Sequence, residues 1–319
     1  MKGTTWPAVL FVEEGAAFAE LERRHLGRSR KDDAMNTETQ QMTKDEPHFA
    51  PVAAWDAIAA GYDTYVTPGE ADLATEALKL VGLRGGDRFL DVAAGTGGLS
   101  LPAARLGAKV VATDWSPKMI ERFNARVRDE RLRDVEGKVM DCHALAFADD
   151  TFEITGSLFG VMLVPDQPKA LREMVRVTKP GGRVLLIAYG PASNFEALHC
   201  FIDALRAVNP AFEGLPSDPP PLEFQVSDPD VMRRRLTAAG LRDVMVDTTR
   251  QEKIELRSGQ QLWDWCLGSN PIPGMLVADL TEAQGAAMRA RIDETIRARS
   301  QGGAFALLTA PLNIGIGTK

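Results

Sequence analysis

The sequence predicts an α/β fold in which helices cover both faces of a mostly parallel β-sheet. Strands and helices alternate from Val52 to Tyr189, which is the arrangement of connected parallel strands. The strand predicted over Arg183–Tyr189 is strongly apolar, as expected for a strand that is buried on both faces. The 319 residues are 45% hydrophobic and 25% charged, a composition typical of globular proteins.

The elements of the first two thirds follow from apolar spacing and from Gly, Pro and Ser at their ends. Helices are expected over Trp55–Tyr62, Ala71–Val81, a segment between Gly98 and Gly107, a segment capped by Ser116, and Gln167–Val177. Strands are expected over Arg88–Val92, Lys109–Thr113, Val135–Asp141, Phe152–Phe159 and Arg183–Tyr189. Lys179-Pro180-Gly181-Gly182 is expected to end the last helix before its strand.

The last third is less regular and is expected to complete the sheet and to cover it with cap helices. Helices are predicted over Asn194–Val208, Asp230–Ala239, Leu262–Leu267 and Glu282–Ala298, and strands over Val244–Leu256 and Phe305–Ile316. The sequence thus predicts a core over residues 49–190 and a C-terminal part over 191–319. Residues 1–48 are predicted to form a poorly ordered leader, with one amphipathic helix over Phe11–Leu26, and whether they belong to the native protein stays open.

Composition excludes several classes of function. A net charge of −7 argues against nucleic acid as the main partner. The three cysteines, Cys142, Cys200 and Cys266, form no CxxC pair, so neither a metal site nor a disulfide framework is predicted. No apolar run reaches the roughly 18 residues of a membrane span. We expect a cytoplasmic protein, a monomer or homodimer, that acts on a small molecule.

The most informative segment runs from Phe89 to Asp114: a strand, a glycine turn, a helix, and a second strand that ends in a carboxylate. Such a unit binds a nucleotide, because the turn admits the ligand and the carboxylate accepts hydrogen bonds from ribose hydroxyls. S-adenosylmethionine (SAM) and NAD both use it. Ser100 stands where the dinucleotide pattern needs a third glycine, and Asp91 ahead of the turn suits a positively charged ligand. Both observations favour SAM over NAD.

With four motifs in order, the chain resembles a class I SAM-dependent methyltransferase, in the branch of the ubiquinone/menaquinone-biosynthesis C-methyltransferases. The motifs are Asp91–Gly97, Asp114 with Ser116–Met119, Asp141 with Ala144–Phe147, and Lys179–Gly182. The resemblance covers about residues 52–190. It implies a Rossmann-like sheet of seven strands in the order 3-2-1-4-5-7-6, with the last strand antiparallel.

The resemblance also implies residues that bind the cofactor. Asp91, Gly95 and Gly97 would line the methionine part of SAM, with Ala93 in place of the usual first glycine of the turn. Asp114 would hold the ribose. The expected contacts of the adenine and its surroundings are Trp115, Met119, Asp141 and Cys142, with Phe159 under the cofactor.

The acceptor is less well defined by the sequence. No ionisable side chain lies between Leu158 and Pro165, which favours an apolar acceptor. Tyr62 matches a tyrosine that similar enzymes place over the methyl group, and His199 is a second catalytic candidate. The segment Ser258–Ala298 is expected to cap the acceptor site.

We therefore expect methyl transfer from SAM to carbon or oxygen of a small, partly apolar metabolite, quinone-like or another secondary metabolite. Three alternatives stay open at this point: a SAM-binding protein without turnover, an arsenite methyltransferase, and an NAD-dependent oxidoreductase.

Overall fold

A computed structural model describes residues 50–319 of the chain. The leader predicted over residues 1–48, with its helix over Phe11–Leu26, lies outside the described residues. None of the helices between residues 50 and 319 combines the length and the apolar character needed to cross a membrane.

The described residues form ten α-helices and eight strands. The helices are α1 (Val52–Gly61), α2 (Ala71–Val81), α3 (Ser100–Arg105), α4 (Pro117–Asp129), α5 (Gln167–Val177), α6 (Glu196–Val208), α7 (Pro229–Ala238), α8 (Gly259–Ser269), α9 (Pro271–Val277) and α10 (Glu282–Ser300). The strands are β1 (Arg88–Val92), β2 (Lys109–Asp114), β3 (Val135–Val139), β4 (Phe152–Leu158), β5 (Thr178–Tyr189), β6 (Arg242–Asp247), β7 (Gln251–Leu256) and β8 (Ala306–Thr318).

The strand order along the sheet is β3-β2-β1-β4-β5-β8-β6, and β7 also pairs with β8. Strands β1 to β5 are parallel, whereas β8 is antiparallel to β5, β6 and β7. The predicted fold class and strand order are thereby confirmed. The order reverses between β1 and β4, and ligands of such sheets bind in the crevice at that point, beyond the carboxyl ends of the strands.

The sheet has one strand more than predicted, because the segment expected as one strand over Val244–Leu256 is two. Asp247 Oδ1 accepts hydrogen bonds from the backbone N–H (2.8 Å) and the hydroxyl (2.6 Å) of Thr249, which turns the chain between β6 and β7. The two strands then pair in succession with β8, β7 with residues 306–311 and β6 with residues 314–318.

One further prediction was wrong in detail, and one helix was missed. Lys179–Gly182 does not separate helix from strand, because β5 already begins at Thr178; the register between β4 and β5 is irregular there, and Gly181 has φ +77°. Helix α9 lies inside the predicted cap segment but was not itself among the predicted helices. Pro271 occupies its first turn, where no N–H is needed, and Asn270 caps it by accepting from Ile272 N at 2.9 Å.

Two large hydrophobic clusters and a small one around Phe123 stabilise the described part of the chain. The larger one surrounds β1, β4 and β5, with Phe89, Phe152 and Leu185 fully buried. The second lies under α6, α8 and α10, where Phe201, Leu262 and Ile292 are buried against the first half of β8. The candidate site lies where the two large clusters meet, since Tyr189 packs against both.

Candidate cofactor and acceptor sites

The turn after β1 has a backbone that few residues other than glycine adopt. Ala93, Gly95 and Gly97 have φ of 54°, 55° and 104°. A side chain at Gly97 would stand 2.6 Å from the ring of Phe123, so a larger residue would not fit. The methyl group of Ala93 is tolerated because Gly160 packs against this residue; a Cβ at Gly160 would approach Ala93 O to 2.3 Å. Ala93 therefore keeps the left-handed backbone of the turn, and its methyl group packs against Gly160.

Asp114 ends β2 beside this turn. Its Oδ2 accepts from Gly95 N at 2.9 Å and its Oδ1 accepts from Ser116 N at 2.9 Å. Burial raises the pKa of Asp114 to about 6, although the backbone hydrogen bonds act in the opposite direction. Asp114 thus organises the glycine turn and the start of α4, and it keeps a carboxylate at the edge of the cavity described below.

Asp91 lies behind the same turn and is 1% exposed. Ser100 Oγ donates to its Oδ2 at 2.7 Å, so the residue that replaces the third glycine of the dinucleotide pattern holds this acid. Its Oδ1 is buried and has no hydrogen-bond partner within residues 50–319. Burial raises the pKa of Asp91 to about 7. An unpaired buried carboxylate oxygen is costly without a ligand that supplies a donor or a positive charge.

The first cavity lies at the carboxyl ends of β1, β2 and β4 and comprises about 690 Å³ of space between atoms. We call it the cofactor cavity. Eight of the ten residues predicted to bind the cofactor line it: Ala93, Gly95, Asp114, Trp115, Met119, Asp141, Cys142 and Phe159. Asp91 and Gly97 do not line it and belong to the layer behind. Their roles in binding stay predictions.

Helix α1 contributes Trp55 to this cavity, a side chain that the sequence did not indicate there. Asp56 Oδ1 accepts from Ser116 Oγ (2.6 Å) and Lys118 N (3.1 Å), which fixes α1 on the first turn of α4. As a result Trp55 lines the cavity together with Tyr62. An acid in a predicted helix far from the nucleotide motif carries no local signal of this contact, so the sequence alone did not indicate it.

Asp141, Cys142 and His143 form the opposite wall. Asp141 Oδ1 accepts from His143 N at 2.8 Å and lies 2.7 Å from His143 Nδ1. Burial raises the pKa of Asp141, but these hydrogen bonds outweigh it and hold the pKa below its usual range. The three residues offer ligand atoms within 4.8 Å of one another. However, burial raises the pKa of the Cys142 thiol to about 12, which disfavours the thiolate that a metal needs.

A second cavity of about 820 Å³ adjoins the first, and we call it the acceptor cavity. Tyr62, Phe159 and Leu163 line both cavities and thus form their junction. Phe159 reaches this position through a φ of +58°, which is strained for a bulky residue.

Aromatic rings form one wall of the acceptor cavity. Phe159 stacks on Tyr189 with 4.5 Å between ring centroids, Tyr189 lies 4.5 Å from Phe195, and Phe195 meets Trp265 edge-on at 6.3 Å. Trp265 comes from α8, inside the segment predicted as a cap, whereas Trp263 packs against Phe201 instead. This wall suits a planar, apolar ligand.

Buried acids meet this aromatic wall, and sequence reasoning missed them. Tyr62 Oη donates to Glu70 Oε1 at 3.2 Å, and Tyr189 Oη donates to Glu252 Oε2 at 3.0 Å. Burial raises the pKa of Glu70 to about 8 and that of Glu252 to about 7, and Glu252 raises the pKa of Glu70 further. No acid lies among residues 159–164 after β4, but Glu70 lines the acceptor cavity from a turn before α2, and Glu252 contacts Tyr189 from β7.

His199 does not reach either cavity. It is exposed, and its Nε2 lies 3.1 Å from Ala192 O. The helical register of α6 directs Leu198, Phe201 and Ile202 to the acceptor cavity and His199 away from it. Of the two catalytic candidates, the structure places only Tyr62 at the junction.

Comparison with known proteins identifies the family. Residues 90–186 match the family described as "Methyltransferase domain". A ubiquinone/menaquinone biosynthesis C-methyltransferase of Geobacter sp. is 31% identical over 178 residues, which cover 53% of this chain and 76% of that protein. The chain belongs to the class I SAM-dependent methyltransferases. The family resemblance seen in the motifs is confirmed, and with it SAM as the cofactor of the family.

Two other known proteins resemble this methyltransferase over a shorter stretch or at lower identity. An uncharacterized protein of Mycobacterium tuberculosis is 44% identical over 108 residues, and the match spans 34% of this chain but only 39% of that relative's length. The crystal structure of the YcgJ protein from Bacillus subtilis has a TM-score of 0.51 at 17% identity, covering 78% of this chain and 97% of that one. It supports the fold alone.

Proposed function

We propose that the protein transfers a methyl group from SAM to carbon or oxygen of a small, partly apolar molecule. The observation that carries this proposal is the junction of two cavities at Tyr62 and Phe159, one beside the nucleotide turn and one walled by aromatic rings. A donor in the first cavity would meet an acceptor in the second at these two side chains.

The residues of the cofactor cavity fit SAM. The Asp114 carboxylate at the cavity edge, and behind it the unpaired Asp91 Oδ1, would favour a ligand with an ammonium and a sulfonium group. Asp114 would accept from ribose hydroxyls, Trp115 and Met119 would pack on the adenine, and Asp141 and Cys142 would lie at its edge. Gly95 and Gly97 allow the close approach of the methionine part. When bound, SAM supplies a methyl group activated by its positively charged sulfur.

The side chains at the junction would align the acceptor and exclude water. Phe159 and the aromatic wall would hold a planar acceptor in a dry environment, which is a large part of catalysis by alignment. Where the acceptor loses a proton, Tyr62 Oη would take it while the phenolic proton of Tyr62 passes to Glu70 Oε1. The raised pKa of Glu70, about 8, makes its carboxylate a stronger base than an ordinary glutamate, and the ionised fraction that can accept this proton grows as the pH rises toward 8.

The charge of the protein and its buried acids indicate which class of acceptor it binds. A net charge of −7 and the buried acids Glu70, Asp91, Asp114 and Glu252 support a small-molecule acceptor rather than a nucleic acid. We further propose a cytoplasmic monomer or homodimer in which residues 49–190 bind the cofactor and residues 191–319 complete the sheet and cap the acceptor.

Arsenite methylation is not favoured by the cysteines. Cys142 lines the cofactor cavity and Cys266 the acceptor cavity. Burial raises the pKa of Cys142, Cys200 and Cys266 alike, so none is predisposed to the thiolate form that would bind the metalloid.

Two measurements test the proposed function. S-adenosylhomocysteine should raise the melting temperature of the purified protein, whereas NADH should not. Incubation with methyl-labelled SAM and a metabolite extract should then transfer label to a small molecule. Stabilisation by NADH alone would overturn the proposal. Stabilisation by S-adenosylhomocysteine without a labelled product from any extract would favour a SAM-binding protein without turnover.

Tyr62→Phe tests the junction. This change removes one hydroxyl and leaves Glu70 without its donor, while the ring that packs at Gly95 is kept. We expect a fall of about 10²- to 10⁴-fold in turnover if Tyr62 moves a proton, with unchanged affinity for S-adenosylhomocysteine. Unchanged turnover would show that alignment alone suffices.

A further inference from the structure

One acid of the acceptor cavity has no role in the proposal above. Glu223 lies in a short turn, Leu222–Phe224, between α6 and α7. The turn is held in place by the buried Gln167, whose Nε2 donates to Leu222 O at 3.0 Å and to Met162 O at 2.6 Å. Gln167 in turn accepts from Arg235. The position of Glu223 is therefore set by a hydrogen-bonded support and not by a mobile surface loop.

The carboxylate of Glu223 is incompletely satisfied. Glu223 lines the acceptor cavity, and its buried Oε2 has no hydrogen-bond partner among the described residues. None of the described residues that line this cavity is a lysine, arginine or histidine. Burial raises the pKa of Glu223 to about 7. A buried polar atom without a partner is destabilising, which marks this oxygen as a position where a ligand group would bind.

The rest of the cavity limits what that ligand can be. Its titratable groups are Tyr62, Glu70, Tyr189, Glu223 and Cys266, and every one of them is neutral or negative. A carboxylate or phosphate in this cavity would have no cation to pair with and would lie near ionisable acids in a medium of low polarity. A planar ring would instead find the wall formed by Phe159, Tyr189 and Phe195.

We propose that Glu223 is a specificity-determining residue: its Oε2 accepts a hydrogen bond from a hydroxyl or amino group of the acceptor, and the cavity excludes acceptors that carry a negative charge. This inference rests on the proposed function, because it names the class of molecule that the acceptor cavity takes. The class is a planar, largely apolar molecule with at least one hydrogen-bond donor and no acidic group.

Three matched probes test the proposal: 2-naphthol, which has a donor; 2-methoxynaphthalene, which has none; and 2-naphthoate, which is negatively charged. Their dissociation constants are measured by equilibrium dialysis with the full-length protein, with and without S-adenosylhomocysteine. A lost hydrogen bond to a buried carboxylate corresponds to about 10- to 100-fold in affinity. We expect 2-naphthol to bind tighter than either other probe by this factor.

Two variants and a control assign the preference to Glu223. Glu223→Leu should bind 2-naphthol and 2-methoxynaphthalene equally, because the acceptor oxygen is gone. Glu223→Gln keeps an oxygen and removes the charge, so the preference for 2-naphthol should persist while 2-naphthoate binds tighter than in the wild type. Glu282→Gln, an exposed glutamate in the first turn of α10, should change none of these constants.

The outcomes separate this inference from the proposed function. Equal binding of the three probes, tightest binding of 2-naphthoate, no binding of any probe, or an unchanged preference in Glu223→Leu would overturn the role of Glu223. Failure of S-adenosylhomocysteine to bind would instead overturn the proposed function, and a preference for 2-naphthol that depends on Glu223 would still stand. Retained affinity of both variants for S-adenosylhomocysteine shows that they are folded.

Discussion

Asp114 offers a direct test of the cofactor site, and the change to study is Asp114→Ala beside Asp114→Asn. In the structure Asp114 Oδ2 accepts from Gly95 N and Oδ1 from Ser116 N, both at 2.9 Å, and the backbone N–H of Trp115 also lowers the pKa of this carboxyl. Each oxygen has a second lone pair, so the carboxylate can also accept from two ribose hydroxyls without giving up these contacts. The variants therefore change ligand binding and local structure to different extents.

The expected magnitude follows from the number of hydrogen bonds. A hydrogen bond to a charged group contributes about 1.5–3 kcal/mol, so loss of two would cost about 3–6 kcal/mol. This corresponds to a 10²- to 10⁴-fold weaker affinity of Asp114→Ala for S-adenosylhomocysteine. Asp114→Asn keeps one acceptor oxygen and should lose about half of that free energy. The alanine variant also frees Gly95 N and Ser116 N, so its ligand-free form should be less stable as well.

Isothermal titration calorimetry measures the affinity for S-adenosylhomocysteine. Urea unfolding of the ligand-free proteins measures how much stability each variant loses. Asp129→Asn is the matched control, since it removes the same charge from an exposed position at the end of α4. An unchanged dissociation constant for a folded Asp114→Ala would refute the assignment of Asp114 to the ribose. An equal loss in Asp129→Asn would show that net charge, and not this contact, governs affinity.

Three further predictions concern stability and the catalytic candidates. Burial raises the pKa of Glu252 from 4.5 to about 7, so the folded state holds a proton that the unfolded state loses first, and stability should fall between pH 4.5 and pH 7. In urea titrations across this range, Glu252→Gln should reduce the pH-dependent loss of unfolding free energy by on the order of 3 kcal/mol. Glu255→Gln, on the exposed face of β7, should leave the pH dependence unchanged. Gly97→Ala should lower the free energy of unfolding by about 1–3 kcal/mol, because its Cβ would meet Phe123 at 2.6 Å and its φ is +104°. Gly285→Ala in α10, with 3.5 Å to the nearest side chain, should raise the free energy of unfolding by about 0.5–1 kcal/mol. Equal destabilisation by both changes would contradict this reasoning. His199→Ala should leave turnover within about twofold of the wild type, since His199 is exposed and lines neither cavity; a loss like that expected for Tyr62→Phe would show that α6 moves during the reaction.

The structural features that depend on short stretches of chain could be predicted from the sequence alone. The order of strands and helices up to β5, the glycine turn and the acid at the end of β2 each have a local signature: apolar periodicity, backbone freedom and residue type within a few positions. Parallel strands bring Asp114, Asp141 and Phe159 to one edge of the sheet once their order is known. Most of the residues that line the cofactor cavity could therefore be predicted from the sequence.

The polar groups around the acceptor cavity could not be predicted in this way, because they meet only after folding. Glu70 and Glu223 line this cavity from two turns that are far apart in the chain, and Glu252 accepts from Tyr189 Oη from strand β7. An acid in a polar segment gives no sign that folding will bring it to such a place. The register of α6 likewise turned His199 outward, and the turn at Asp247 divided one predicted strand into two. The physical reason is the same in each case: burial and charge environment arise from packing between distant segments, which local sequence patterns do not encode. The donor is therefore identified by a continuous motif, while the acceptor is defined by a cavity that exists only in the folded chain.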